Sequence, residues 1–417
     1  MILRVIEFNR RYVNFQLTNF SLECQCKGKR LISQERIQKR NVDTTIIEEK
    51  DKIQAIVQHW VRILDIRFGW IQDFDRLVVK YATTFFIFEL FCSPSKLFKT
   101  FTGHTDIIWS IDYSTLNNGQ FIYSGSGDKT VRVWNVETSQ QIQPFNGHSN
   151  HVYYKTIRFW DIKHNQELQV LNEHTGGVNC IEFSPFNSGR YLCSGSRDNT
   201  ICLWDIGTYK LLHVFNGHED TVWCVDISPL QSNNKSDNNI GVIGGNGYTI
   251  CSGSYDNTIR IWDIETTKQL TVFKGHRYAV RSIKYGANEI GNIGCANTIL
   301  SGSNDCSVRL WDIRSGQQIQ MFNGHKNWVS AVEYSPFVVN NNEIGGNSNV
   351  ICSGSFDNTI RFWDIRSNKK ELYVITRGDD DGIVCLKFLQ LHENNNDSGC
   401  DINLCYGSGN GPIHIWG

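Results

Sequence analysis

The chain has 417 residues, 40% of them apolar, with 41 basic side chains against 42 acidic ones and a net charge of −1. That length exceeds one ordinary core, so a large domain with an appendage is expected. The charge balance excludes a globally basic nucleic-acid binder and a polybasic membrane-surface protein.

In chain order, MILRVIEFNRRYVNF carries Arg4 and Glu7 inside its apolar run, so no secretory signal is expected. RYVNFQL reads as a strand, and a basic stretch follows it with Lys27, Lys29, Arg30, Arg36, Lys39 and Arg40. A charge run of this kind is read as a solvated tail rather than a nucleic-acid arm. Residues 1–44 are taken as this basic segment of low order. Cys24 and Cys26 are half a metal site with no second Cys/His pair nearby, so zinc is rejected.

From Thr45 the pattern turns helical. Thr45 and Glu48 have capping-box spacing, and Ile53, Ile56, Val57, Trp60 and Leu64 follow at three- and four-residue steps. A second helix is expected from about Phe74 until Pro94 prevents its continuation. The expected helical segment is 45–93. Its longest apolar stretch, Val78 to Phe91, is too short and too charged to span a bilayer, so no membrane segment is expected.

After this segment one theme repeats. ICSGSFDNTIRFWDI over Ile351–Ile365 recurs as YLCSGSRDNTICLWDI ending at Ile206, TICSGSYDNTIRIWDI ending at Ile264, TILSGSNDCSVRLWDI ending at Ile313 and FIYSGSGDKTVRVWNV ending at Val136. Each copy reads as two short strands joined at a Ser-Gly-Ser-x-Asp turn and landing on a Trp. Gly103-His104, Gly217-His218, Gly275-His276 and Gly324-His325 stand ahead of four copies, and Glu173-His174 ahead of the fifth. A period of roughly 40–50 residues with these signatures is how a propeller blade reads in sequence. The words resemble the WD40 repeat family over about three quarters of the chain. The resemblance implies an all-β WD40 β-propeller over 94–417, preceded by the small α-helical segment.

Counting by Trp134, Trp160, Trp204, Trp262, Trp311, Trp363 and Trp416 gives seven repeat units, the second truncated. His148 is followed by Trp160 after 12 positions, whereas His104 to Trp134 and His174 to Trp204 span 30. Unit two is therefore expected as a partial blade of about two strands. In unit seven Gly378-Asp379 replaces Gly-His and Asn410 replaces the turn Asp. KLFKTF over Lys96–Phe101 resembles the outer strands QQIQPF, KLLHVF, KQLTVF and QQIQMF, and no outer strand follows Trp416. The front strand is thus expected to pair with Pro412–Trp416 and close the ring. Insertions at 230–248, 286–297, 338–349 and 391–403 are rich in Asn and Gly and read as surface loops on one face.

Fourteen cysteines invite disulfides, but Cys193, Cys251 and Cys352 sit at one equivalent strand position of separate blades and read as small hydrophobes. Reduced thiols and a cytoplasmic or nuclear location follow as expectations.

The repeated Ser, His and Asp are the residue types of a catalytic triad. Their recurrence in five copies favours a structural reading, since an enzyme needs one activated site and a ring needs the same fastening in each blade. The resemblance implies hydrogen-bonded tetrads at His104, Ser124, Asp128 and Trp134; His174, Ser194, Asp198 and Trp204; and His218, Ser252, Asp256 and Trp262. It implies two more at His276, Ser301, Asp305 and Trp311 and at His325, Ser353, Asp357 and Trp363. Unit two keeps only His148 and Trp160, so its fastening cannot form. HExxH, GxSxG and Walker motifs are absent, so no enzymatic activity, catalytic residue, cofactor or metal is expected.

Family resemblance also implies partner contacts on the face of the Gly-His turns, carried here to Trp109, Arg197, Trp223, Tyr255, Arg281, Trp328 and Phe356. The competing reading packs Trp109, Trp223 and Trp328 as core between inner strands. The expected function is a scaffold or adaptor presenting this face to other proteins or peptides in a multiprotein complex. The alternative is a subunit of an RNA-processing or chromatin complex touching nucleic acid. That alternative needs Lys and Arg clustered on one face, and the repeats intersperse their charges.

Overall fold

The computed structural model describes residues 97–417 apart from 117–118, 147–154, 162–163, 165, 186–188, 229–248, 287–297, 341–346, 366–370, 379–380 and 391–401. The basic and helical segments expected over 1–44 and 45–93 lie outside the described residues. Every described element is a strand, and the strands form six four-stranded antiparallel sheets and one two-stranded sheet.

Blade one runs Ile108–Leu116, Gly119–Ser126, Thr130–Asn135 and Gln141–Asn146 from its inner to its outer strand. Blade three runs Val178–Phe183, Tyr191–Ser196, Thr200–Asp205 and Lys210–Asn216, and blade four Val222–Ile227, Thr249–Ser254, Thr258–Asp263 and Gln269–Lys274. Blade five is Val280–Tyr285, Thr298–Ser303, Ser307–Asp312 and Gln317–Asn323. Blade six is Val329–Asn340, Asn347–Ser355, Thr359–Asp364 and Tyr373–Thr376. The inner strands of blades three, four, five, six, seven and one pack side by side in that order.

Blade seven is assembled from both ends of the described chain: Ile383–Gln390, Ile402–Ser408 and Ile413–Trp416, with Leu97–Phe101 as its outer strand. The register runs from Leu97 opposite Trp416 to Phe101 opposite Ile413. This pairing covers an edge that would otherwise expose unpaired backbone groups.

The core repeats as the sequence does. An outer-strand Phe of one blade packs on the Trp of the next: Phe145 on Trp160 at 5.8 Å, Phe215 on Trp262 at 5.9 Å, Phe273 on Trp311 at 5.5 Å and Phe322 on Trp363 at 5.7 Å. Phe101 on Trp134, at 5.7 Å, is the same rivet across the closing seam.

At the second position only Ile157–Asp161 and Gln166–Leu171 are described, the pair that ends on the Trp and the outer strand. Ile157 and Phe159 pack into the core of blade three, while Trp160 lies against Tyr123, Val131, Val133 and Phe145 of blade one. The pair is held by its two faces, and its inner edge has no paired strand among the described residues.

One expected loop is corrected. In blade six the strands continue into the 338–349 insertion as a ladder, with Val338 opposite Asn349, Val339 opposite Ser348 and Asn340 opposite Asn347. Two β-favouring valines at the base of the insertion extend the hairpin past the bulge at Tyr334.

The seam gives the first prediction. Phe101 is buried at the rivet that joins the two ends, so Phe101→Ala should cost about 3–5 kcal/mol, as large-to-small core changes do. Urea unfolding followed by circular dichroism reads this directly; a loss below about 1 kcal/mol would mean the seam contributes little.

Candidate functional site

Two sets of polar and aromatic residues stand out, one buried within the blades and one at the axial opening.

In each of five blades a Trp indole N–H donates to a Ser hydroxyl, that hydroxyl donates to His Nε2, and His Nδ1–H donates to an Asp. In blade one these distances are 2.8 Å for Trp134 to Ser124, 2.8 Å for Ser124 to His104 and 2.7 Å for His104 to Asp128. Trp204, Ser194, His174 and Asp198 repeat this at 2.8, 2.8 and 2.9 Å, and Trp262, Ser252, His218 and Asp256 at 2.8, 2.7 and 2.7 Å. Trp311, Ser301, His276 and Asp305 give 2.8, 2.8 and 2.9 Å; Trp363, Ser353, His325 and Asp357 give 2.9, 2.8 and 3.0 Å. Each hydroxyl accepts one bond and donates one, so the chain is satisfied throughout with a neutral imidazole.

The Asp closes the turn as well. Asp256 accepts from the Thr258 backbone N–H at 2.9 Å, the Thr258 hydroxyl at 2.6 Å and the Glu219 backbone N–H at 3.1 Å. Between the Asp and the following Thr, or Ser307 in blade five, the backbone passes through the left-handed region, at Lys129, Asn199, Asn257, Cys306 and Asn358. Asn tolerates that conformation best among non-glycine residues, which accounts for the repeated Asp-Asn pair.

Glycine precedes the His because a Cβ at Gly217 would come within 2.8 Å of the Trp262 ring and 3.2 Å of the Arg260 guanidinium. In blade three Glu173 occupies the glycine's place, and Cys202 stands where the other blades carry that Arg. Losing the long cation removes one of the two groups, the Trp ring and the guanidinium, that crowd a Cβ at this position in the other blades.

This Asp–His–Ser chain has the connectivity of an acyl-transfer triad, yet the hydroxyls of Ser194, Ser252, Ser301 and Ser353 belong to residues with 0% exposure. Each hydroxyl already accepts an indole N–H, and no carbonyl carbon can approach it. The geometry fastens blades and offers no nucleophile. Among the described residues, no group of three or more His, Cys, Asp or Glu could hold a metal. The described cysteines are free thiols, and burial pushes Cys180, Cys202 and Cys385 up to about 12.

Where the fastening is missing, its donors are stranded. Trp160 Nε1 and Trp416 Nε1 are buried with no hydrogen-bond partner among the described residues. Among the described residues blade two has no strand that carries a Ser, and in blade seven Tyr406 stands in the Ser position. Tyr406 stacks on His414 at 4.9 Å instead.

The second set lies at the axial opening. Every described inner strand has a β-bulge at its second residue: Trp109, Asn179, Trp223, Arg281, Ser330 and Val384. A bulge drops one residue from the ladder and re-aims its side chain. Trp109, Asn179, Trp223, Arg281, Ser330 and Val384 all line the axial cavity, which is about 200 Å³.

Of the residues expected at partner contacts, six gather here. Trp223 meets Tyr255 edge-on at 5.3 Å and Trp109 at 6.3 Å, and Trp328 meets Phe356 at 5.9 Å. The Arg281 guanidinium lies 4.3 Å from the Trp223 ring, 5.0 Å from Tyr255 and 5.2 Å from Trp328. Arg197 stays apart, exposed and bonded to the Asn179 side chain at 3.3 Å. Trp109 and Trp328 are 38% and 45% exposed, so neither is core. Tyr278, two residues after His276 and 62% exposed, is an aromatic that sequence reasoning missed. Its position in the turn after Gly-His was the available signal.

Two predictions follow from the buried chains. Trp262→Phe leaves the Ser252–His218 chain without its donor and should cost about 1–3 kcal/mol, while Trp160→Phe removes an unsatisfied donor and should be near neutral. Equal losses in denaturant midpoints for the two variants would refute the assignment.

Acid should also loosen the ring. Burial disfavours the charged imidazoles and holds His104, His218 and His276 below their ordinary 6.5 despite their Asp partners. For Asp128, burial pushes the carboxyl up, but hydrogen bonds from Thr130 and His104 outweigh it and bring it to about 2. The unfolded chain therefore takes up more protons than the folded one on acidification, first at these His and then at Asp. The melting temperature should fall as the pH drops below 6.5, and more steeply below the ordinary Asp value of 3.8. A melting temperature that stays flat between pH 7.5 and 4 would exclude the neutral-His arrangement.

The sequence matches the WD40 family description "WD domain, G-beta repeat" over residues 95–135, 165–205, 209–263, 267–312 and 316–364, more than half of the chain. The WD repeat-containing protein pop2 of Schizosaccharomyces pombe is 29% identical over 185 residues, covering 44% of this chain and 24% of that protein. Transducin beta-like protein 3 of Homo sapiens is 22% identical over 215 residues, 52% of this chain and 23% of that protein. Cell division control protein 4 of Saccharomyces cerevisiae is 25% identical over 195 residues, 44% of this chain and 20% of that protein. The aligned part thus spans less than a quarter of the length of each of these relatives. With five matched repeats and six four-stranded blades, the chain belongs to the WD40 repeat family.

Proposed function

We propose that this chain is a non-enzymatic interaction scaffold that presents the bulge-side face of its ring to a peptide or protein partner within a multiprotein complex. The observation that carries the reading is the aromatic cluster at the axial opening. Trp109, Trp223, Tyr255, Trp328 and Phe356 form one patch around Arg281, and two of its indoles are substantially exposed. Trp, Tyr and Arg dominate binding energetics where they cluster at the centre of a contact. Exposed aromatics grouped on a rigid ring otherwise serve no packing purpose.

Chemistry in the buried chains is unsupported, because their hydroxyls are inaccessible. The relatives carry names from different processes, so the ring by itself assigns no pathway to this chain. Reduced buried thiols suit a cytoplasmic or nuclear setting. The charged side chains that line the axial cavity are of both signs, with Lys284 facing Glu182 at 3.8 Å and Lys387 facing Asp112 at 3.3 Å. Such a lining gives no continuous positive track for nucleic acid.

The test replaces Trp223, Tyr255, Trp328 and Phe356 with Ala together and compares affinity-captured partners by mass spectrometry with those of the parent. Binding should weaken by several kcal/mol while circular dichroism stays that of the parent. Full retention of the captured proteins would refute the face.

A further inference from the structure

Arg281 is held in an unusual way. Its position at the bulge of the blade five inner strand turns it into the axial opening, where Nε donates to the Asn304 side-chain oxygen at 2.8 Å. Three aromatic rings surround the guanidinium at 4.3, 5.0 and 5.2 Å. One donor is thus committed and the plane is clamped. The two Nη atoms make no hydrogen bond to any described residue, and Arg281 borders the axial cavity.

No carboxylate among the described residues pairs with it. The acidic groups of the cavity, Asp112, Glu182 and Glu333, stand at the fifth residue of their inner strands, three residues deeper than the bulge level. At a strand rise of ~3.3 Å per residue that is about 10 Å away along the axis. Asp112 and Glu182 moreover face Lys387 and Lys284. Burial disfavours the charged form of Arg281 and holds its pKa below the ordinary value, with only the Tyr255 phenol and the Cys224 thiol, and no carboxylate, acting against it. Aromatic faces stabilise a cation through their quadrupole but carry no net charge. A half-buried guanidinium with a free fork and no counter-ion is arranged to receive one.

We infer that Arg281 is the specificity anchor of the face, receiving the carboxylate of a Glu or Asp side chain on a partner peptide whose neighbouring apolar residues cover the Trp223, Tyr255 and Trp328 rings. This deepens the scaffold reading and rests on it. A bidentate pair between the Nη edge and a carboxylate uses the planar fork that a Lys lacks. Asn304 is a positioning residue, since it fixes the guanidinium plane through Nε.

The experiment uses the full chain and three fluorescein-labelled heptapeptide mixtures with randomised aromatic and aliphatic flanks. Their central residue is fixed as Glu, Gln or Lys, and binding is read by fluorescence anisotropy at physiological salt. The parent should bind the Glu mixture at least tenfold more tightly than the other two. Arg281→Met keeps the stem between the rings and removes the charge, so the Glu preference should vanish. Arg281→Lys should keep part of it, which also guards against a misfolded Met variant. Equal binding of the Glu and Gln mixtures, a preference for Lys, no binding of any mixture, or a Glu preference that survives in Arg281→Met would each overturn the inference. A single-stranded oligothymidine held more tightly than the Glu mixture, and lost with Arg281→Met, would assign the guanidinium to phosphate and overturn it too. If the four-alanine variant loses its captured partners while the parent shows no Glu preference, the docking face stands and only the acidic-ligand inference falls.

Discussion

A buried indole N–H must find an acceptor, and in this ring that demand organises everything around it. Trp134, Trp204, Trp262, Trp311 and Trp363 are each 1–2% exposed, and each gives its N–H to a Ser one strand away. The Ser in turn needs an acceptor for its own proton and the His supplies it, so the imidazole must be neutral at Nε2. That leaves Nδ1–H to bind an ionised Asp, and the Asp draws in the turn backbone. One apolar burial decision thus propagates through four side chains to the loop that begins the blade. The network is costly to leave half made, because low local dielectric raises the penalty for any unpaired member.

The two exceptions bear this out in different ways. Blade seven lacks the Ser, but a ring stack between Tyr406 and His414 fills the space, and the Thr100 hydroxyl bonds His414 at 3.1 Å from the closing strand. Blade two has no described inner strands, and among the described residues its pair packs against blades one and three. Both keep a stranded indole donor. Blade three shows two differences at the same place: Glu173 stands for the glycine, and Cys202 for the Arg that lies beside that glycine in the other blades. Paired changes of this kind keep the clasp intact while its surroundings vary.

Much of this was legible from the residues, since the repeats announce their own strands, turns and Trp landings. The closing strand was readable too, because KLFKTF has the alternation of the outer strands. The bulges were not. A one-residue slip in pairing leaves no period in the sequence, yet it decides that Trp109, Trp223 and Arg281 face the opening rather than the neighbouring blade. The meeting of Arg281 with Trp223, Tyr255 and Trp328 was equally hidden, since these residues come from three successive blades and meet only when the inner strands curve about an axis. The ladder at the base of the 338–349 insertion was missed because Asn and Gly content outweighed two valines in the reading.

The clasps use the same four residue types in five blades, because each solves an identical local problem. The bulge positions carry Trp, Asn, Trp, Arg, Ser and Val, six sites with five different side chains around one opening. A side chain removed from the ladder by a bulge contributes little to strand pairing, so its identity can change without disturbing the blade behind it. Two tasks are thereby separated within a single inner strand: the first residue and those after the bulge pack or pair, and the second lines the axial cavity. The opening is thus varied in chemistry where the clasps are uniform, with Trp109, Asn179, Trp223, Arg281, Ser330 and Val384 set around one cavity.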